Sequence, residues 1–302
     1  MSYSASVILV PASQSALLIE IEKAVQTLIR KNPRSVNPFQ WIPTDKLKTY
    51  LGLYQPNYEY SEYLQAFWYG CQQANLGSGN RPWNITHLYQ LIDGIHAFTQ
   101  QKDFSRRVSD RSYQTKQNAQ SMMEYAQSLH RSYARLLVVR VDFAYFLDSQ
   151  YLVGIDRVYQ HLDIMRYYRD KLALFEHLVG SAWCLEQGES KGYHIHAVYY
   201  FKGSQHQNDW YMAKQIGELW GRVTEGLGTY HNCNTPAEKA KHERRGKLGV
   251  GMIYRDETVA CKNSISAVGY LASPEKEDQY LRMKPKGRRA FARGLMGGVM
   301  SA

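Results

Sequence analysis

The ten residues Gly192–Phe201, Gly-Tyr-His-Ile-His-Ala-Val-Tyr-Tyr-Phe, constrain this chain more than any other stretch. They are rich in aromatic and β-branched side chains and follow the turn-forming run Gly188-Glu-Ser-Lys-Gly192, which predicts a β-strand leaving a hairpin. Side chains alternate along a strand, so His194 and His196 share one face while Ile195, Ala197 and Tyr199 take the other. The fold therefore has to provide a sheet that is apolar on one side and carries two imidazoles on the other. Neighbouring imidazoles are a ready pair of metal ligands. A chain with ten histidines also produces a His-x-His by chance, so the rest of the sequence has to carry the argument.

At 302 residues the chain accommodates two modest domains, or one domain with a substantial extension. No apolar run approaches the ~20 residues of a membrane span, and the first ten residues lack the basic-then-apolar layout of a secretory signal. Cys71, Cys184, Cys233 and Cys261 are scattered without a Cys-x-x-Cys pair. They read as reduced thiols of a cytoplasmic protein, and no structural zinc site is expected. The net charge of +10 points to a polyanionic partner. Its distribution says more. One cluster comprises Lys239, Lys241, Arg244, Arg245 and Lys247; another comprises Arg282, Lys284, Lys286, Arg288, Arg289 and Arg293, with no acid between Leu281 and Gly294. Each alone could be a solvated segment. With twenty-four tyrosines available for stacking on bases, they favour a nucleic-acid surface.

The first 130 residues read as helical, with segments Ser13–Lys31, Glu62–Gln73, Trp83–Gln100 and Thr115–Arg131 separated by polar, Gly- or Pro-containing connectors, among them Lys102–Ser112. From Arg135 the pattern changes. Leu136–Tyr145 predicts a strand with Leu137, Val139, Val141, Phe143 and Tyr145 on one face, and Leu136, Val138, Arg140 and Asp142 on the other. A long helix from Gly154 to about His177, a strand from Leu178 to Glu186, the histidine strand, a helix Asp209–Val223, short strands near Gly228–Asn232 and Val250–Tyr254, and a helix Thr258–Ala272 follow. The order β-α-β-β-α-β predicts an α+β fold, a ferredoxin-like antiparallel sheet with helices on one face and the other open to ligand. The organisation expected is a helical accessory region over 1–130, a catalytic domain over 131–275 and a basic tail over 276–302.

Three features together resemble the HUH endonucleases, the rolling-circle replication initiators and relaxases. They are a hydrophobic strand with a polar end (Leu136–Asp142), His194-Ile195-His196, and Tyr270 on a late helix. More narrowly, Gly192-Tyr-His-Ile-His-Ala-Val198, Ile216-Gly-Glu-Leu-Trp220, and Asp278-Gln-Tyr-Leu-Arg282 with Phe291-Ala-Arg-Gly294 resemble the inovirus replication initiators, the YagK/YfjJ C-terminal domain family. The similarity spans roughly Arg131 to Gly294.

The resemblance implies metal-assisted nicking of DNA by tyrosine, giving a 5′-phosphotyrosine link and a free 3′-hydroxyl. A divalent ion, Mg2+ or Mn2+, neutralises and orients the scissile phosphate, and the phenol, with an ordinary pKa of ~10, needs cationic help. His194 and His196 are the expected metal ligands. Glu186 is a third candidate if it lies opposite His194 rather than Tyr193; Asp142 is an alternative and His231 a weaker one. Tyr270, on a polar stripe with Asn263 and Ser266, is the expected nucleophile, and Tyr280 the fallback. HUH enzymes commonly carry lysine three residues after the tyrosine; here Ser273 stands there, and Lys276 is the first lysine available. DNA contacts are expected from Arg244, Arg245, Lys247, Arg282, Lys284, Lys286, Arg288 and Arg289. The partners implied are origin DNA, single-stranded or supercoiled, and a host replication helicase, in the cytoplasm of a bacterial host of a filamentous phage, prophage or mobile element. The same fold could instead serve a catalytically silent DNA-binding protein. A metal-dependent hydrolase of small substrates is a third reading, less compatible with the basic clusters.

Overall fold

The computed structural model describes residues 12–30, 45–77, 83–271 and 279–294. The N-terminal part is helical: α1 (Gln14–Leu28), α2 (Leu47–Leu51), α3 (Glu62–Gln73), α4 (Ile85–Thr99) and α5 (Lys102–Ser132), with a short strand β1 (Tyr58–Tyr60) before α3. The connector expected at Lys102–Ser112 is instead the first third of α5. Its residues are too polar to mark a buried stripe, and ion pairs hold the helix. Asp103 lies 3.3 Å from Arg107 one turn on, and Arg111 lies 3.1 Å from Glu62 of α3.

A mixed α+β layer follows: β2 (Arg135–Tyr145), α6 (Ile155–Arg169), β3 (Leu178–Gly188), β4 (Gly192–Lys202), α7 (Asp209–Val223), β5 (Gly228–Asn232), α8 (Pro236–Glu243), β6 (Gly251–Tyr254), α9 (Thr258–Leu271), β7 (Met283–Pro285) and β8 (Phe291–Arg293). The strands run β5-β2-β4-β3-β8, with β6 beside β5 on the same edge of β2, and every pairing is antiparallel. The predicted β-α-β-β-α-β order is present from β2 to β5. Helix α8 was hidden in the basic cluster, although Thr235-Pro-Ala-Glu238 is a legible start signal: the Thr235 hydroxyl accepts from the Glu238 amide at 3.3 Å, with proline in the first turn.

Both sheet faces carry helices, contrary to the open face expected. On one, Leu137, Val139, Val141, Phe143, Ile195 and Ala197 join a core supplied by α6 and α7, continuous with Leu18 and Val25 of α1 and Leu64 of α3. There the Ile216–Trp220 segment has a packing role. Trp220 stacks on Phe143 and donates its indole N–H to the Ala144 carbonyl at 3.0 Å. A Cβ at Gly217 would stand 2.1 Å from the Tyr230 ring, so only glycine allows β5 this close to α7. On the other face, Leu136, Val138, Val198 and Tyr200 are covered by Met122, Tyr125 and Ala126 of α5 and by Val268 and Leu271 of α9. Among the described residues, that apolar cover does not include the end carrying His194 and His196.

The expected basic tail also differs. Residues 279–294 are bound into the fold, since β7 pairs with β1 and β8 with β3. Charge disguised these strands, because Lys284 bonds to Glu59 opposite it and Arg288 to Asp163 of α6 at 2.8 Å.

Strands β5 and β6 pair with residues 141–145 and 135–138 of β2 and leave a gap between them. The side chain of the fully buried Asn234 fills it. Its amide oxygen accepts from Arg140 N at 2.8 Å, and its NH2 donates to the Val138 carbonyl at 2.9 Å and to Asp209 at 2.8 Å. Asn234→Ala strands these groups and should cost about 2–4 kcal/mol in urea unfolding. A loss below about 0.5 kcal/mol would show that the amide does not close the sheet.

Candidate metal centre

The β3–β4 register sets Glu186 opposite His194 and Cys184 opposite His196, while β2 sets Asp142 opposite His196. Of the two positions open to Glu186, the strand pairing selects the one facing the histidines. Gly192, with φ +61°, makes the reversal into β4 in the left-handed region that glycine tolerates. Its carbonyl lies 3.1 Å from His194 Nδ1. A carbonyl only accepts, so Nδ1 holds the proton and Nε2 keeps its lone pair for a metal. His196 is set the same way, its Nδ1 lying 2.8 Å from Asp142 Oδ1. Both Nε2 atoms lie 3.3 Å from Glu186 Oε2, and all three candidate ligand atoms fall within 4.8 Å of one another. The three residues are 3–5% exposed. A buried carboxylate is costly unless a positive charge compensates it. Two imidazoles whose Nε2 atoms both face that carboxylate are a donor set suited to one divalent cation.

The sequence left Asp142 open as a ligand; the structure puts it behind the His196 ring. Its carboxylate also takes the Arg140 guanidinium through Nε and Nη2, each at 3.2 Å. Burial pushes the Asp142 carboxyl up, but the contact with His196 and the charge of Arg140 outweigh it and hold the group well below the ordinary carboxylate range. Asp142 is therefore an anionic brace that fixes the His196 tautomer. His231 is outside the cluster as well, 3.8 Å from Glu238 near the surface.

The histidines open into a cavity of about 820 Å3 whose walls include Arg140, Lys191, Tyr270 and Arg282, with Glu22 and Lys23 from α1. Tyr270, the penultimate residue of α9, is 48% exposed and shares this cavity with both histidines. Tyr280 is placed differently. It donates to Glu22 and lies under the Arg111 guanidinium, 3.6 Å from the ring centre; burial first, and then Glu22, push its hydroxyl far above the ordinary phenol range. That is a structural tyrosine within an ion network. Lys276 and Ser273 lie outside the described residues.

The expected DNA contacts divide. Arg282 is buried, bonded to the Gln187 carbonyl at 3.2 Å and 3.5 Å from Glu22, so it belongs to the cavity wall rather than to an outer surface. Lys284 and Arg288 are held by Glu59 and Asp163, whereas Arg244, Arg245, Lys247, Lys286 and Arg289 are exposed. Sequence reasoning missed Glu22. The available signal was a carboxylate inside the apolar stripe formed by Leu18, Ile21 and Val25.

His194→Ala, His196→Ala and Glu186→Gln should each abolish Mn2+ binding measured by titration calorimetry, with circular dichroism unchanged. Asp142→Asn should weaken it only ~10–100-fold, as loss of an outer brace does. An Asp142→Asn loss as complete as that of His196→Ala would make Asp142 a ligand.

A family model for the YagK/YfjJ C-terminal domain matches residues 98–262, more than half of the 302-residue chain. The match begins upstream of Arg131, near the end of α4, and includes Asp142, Glu186, His194 and His196. It ends within α9, before Tyr270 and before the closing segments at Asp278–Arg282 and Phe291–Gly294. No curated protein and no solved structure matches the chain. On the family match, this chain belongs to the YagK/YfjJ C-terminal domain family.

Proposed function

We infer that this protein is an HUH-type DNA-nicking enzyme, acting in the bacterial cytoplasm as replication initiator of a filamentous phage, prophage or related mobile element. The observation that carries this reading is that a single cavity holds both histidines of a His-x-His strand together with a tyrosine at the end of a neighbouring helix. The spatial order β5-β2-β4-β3, with α6 and α7 packed into one core, supports a ferredoxin-like sheet of HUH type.

His194, His196 and Glu186 would hold Mg2+ or Mn2+, which when bound neutralises a phosphate oxygen and orients the phosphorus for in-line attack. The Tyr270 oxygen attacks that phosphorus; the phosphorus–3′-oxygen bond breaks and a phosphotyrosine ester forms. The phenolic proton passes to solvent, and the departing 3′-oxygen takes one up. Arg140, Lys191 and Arg282 line the same cavity and would offset the phosphate charge. Serine at position 273, where such enzymes commonly have lysine, favours a second reading, a DNA-binding protein that does not cleave.

Incubation with supercoiled and single-stranded DNA in Mn2+ tests the enzyme reading. Nicking and a denaturation-resistant protein–5′-DNA adduct are expected from the wild type and from Tyr280→Phe, and neither from Tyr270→Phe or His194→Ala. DNA binding without an adduct in the wild type would establish the second reading instead. For the surface cations, replacing Arg244, Arg245 and Lys247 together by alanine should make the slope of log affinity against log salt shallower by roughly 0.7–0.9 for each phosphate that is no longer neutralised. An unchanged slope would remove the turn after α8 from the DNA surface.

A further inference from the structure

A second cavity, of about 750 Å3, shares no lining residue with the metal cavity. It lies between α6, strand β3 and the segment that runs from β7 through β8 to Gly294. Its composition is divided. Among the described residues, five arginines line it, Arg166 and Arg169 from α6 and Arg288, Arg289 and Arg293 from the C-terminal segment, against one carboxylate, Asp163. Asp163 reaches Arg288 at 2.8 Å and Arg166 at 3.4 Å, so it cannot offset the rest. The remaining lining is aromatic and aliphatic: Trp183, Tyr159 and Tyr199 are joined by Leu162, Met165 and Ala197. Tyr159 and Tyr199 are buried and Trp183 half-buried.

Several of the guanidinium groups are held in place. Arg288 donates to the Tyr159 carbonyl at 3.1 Å and lies over that residue's ring at 4.6 Å, while Arg293 donates to Ser121 at 2.8 Å and Arg169 to Asp170 at 2.8 Å. Arg166 keeps two thirds of its side chain in solvent, and Arg289 is exposed. An apolar ligand would make no use of the exposed guanidinium groups of Arg166 and Arg289. A small inorganic anion would leave the aromatic floor without use. The volume is that of an ordinary small-molecule site. Guanidinium forks match phosphate oxygens in pairs, and aromatic walls accept a flat heterocycle by stacking.

We propose that this cleft binds a nucleotide, with the base against the Trp183 side and the phosphates on the arginines. The inference is independent of nicking, because none of these residues touches the metal cavity. A nucleotide can arrive free or as one unit of a strand, and the chemistry of recognition is the same.

The test uses fluorescent N-methylanthraniloyl-ATP with the full chain, in EDTA so that the metal centre contributes nothing. Saturable binding is expected at micromolar to submillimolar concentration. Unlabelled ATP should displace the probe at least ten times better than tripolyphosphate does. The double variant Arg166→Glu/Arg289→Glu, which alters two exposed side chains, should bind at least tenfold more weakly with an unchanged circular dichroism spectrum. An oligothymidylate that also displaces the probe would assign the site to a strand, and one that does not would assign it to the free nucleotide; either supports the proposal. Absence of saturable binding, equal binding by the double variant, or equal displacement by tripolyphosphate would overturn it.

Discussion

The candidate site depends on one register, that of β3 against β4. The fixed pairing of Glu186 with His194 sets a carboxylate and two imidazoles on one face, with the Nε2 atoms turned to a common oxygen. A slip of one residue would move Glu186 into the apolar core and turn the histidines away from it. The register is enforced from behind, where Leu185, Tyr193, Ile195 and Ala197 are buried in the larger core. The packing of one face thereby fixes the chemistry of the other. Asp142, carried on β2, completes the arrangement by fixing the His196 tautomer.

The other end of the cavity is closed by parts of the chain far apart in sequence. Glu22 of α1 accepts from Ser61 at 2.9 Å and from Tyr280, and lies 3.5 Å from Arg282. The Arg282 backbone N–H bonds to Gln187 Oε1 at 2.9 Å, and the Gln187 amide donates to the Ser15 carbonyl at 3.1 Å. Through these buried polar links the N-terminal helix and the C-terminal segment are both held against the hairpin that carries the histidines. Breaking the buried ion pair at Glu22 or Arg282 would leave the other charge uncompensated, so substitution at either position is expected to be costly. The N-terminal helix α1 therefore contributes residues to the candidate site as well as to the core.

Local pattern made much of this legible. The alternation in Leu136–Tyr145 and Gly192–Phe201 assigned both central strands and their faces, and the helical spacing around α1, α3 and α7 assigned those helices. What was hidden depended on contacts distant in sequence. Three-residue strands such as β7 and β8 carry too few residues to show a period, and their lysines and arginines suggested a free tail until Glu59 and Asp163 supplied counter-charges. The site divided in the same way. His194 and His196 were legible because strand alternation alone places them together, whereas Glu186 and Asp142 were separated only by pairing register. Tyr280 looked as suitable as Tyr270 in sequence, because nothing local discloses that Glu22 and Arg111 enclose it.

The central claim is that Glu186, His194 and His196 form one metal site through their Nε2 and Oε2 atoms. Electron spin echo envelope modulation of the Mn2+-loaded protein tests it most directly, because directly bound imidazole nitrogens modulate the echo. Modulation from two imidazole nitrogens is expected, lost with the ion in either His→Ala variant, and retained in Tyr270→Phe. Mn2+ that binds without any nitrogen modulation would place the ion elsewhere and contradict the account.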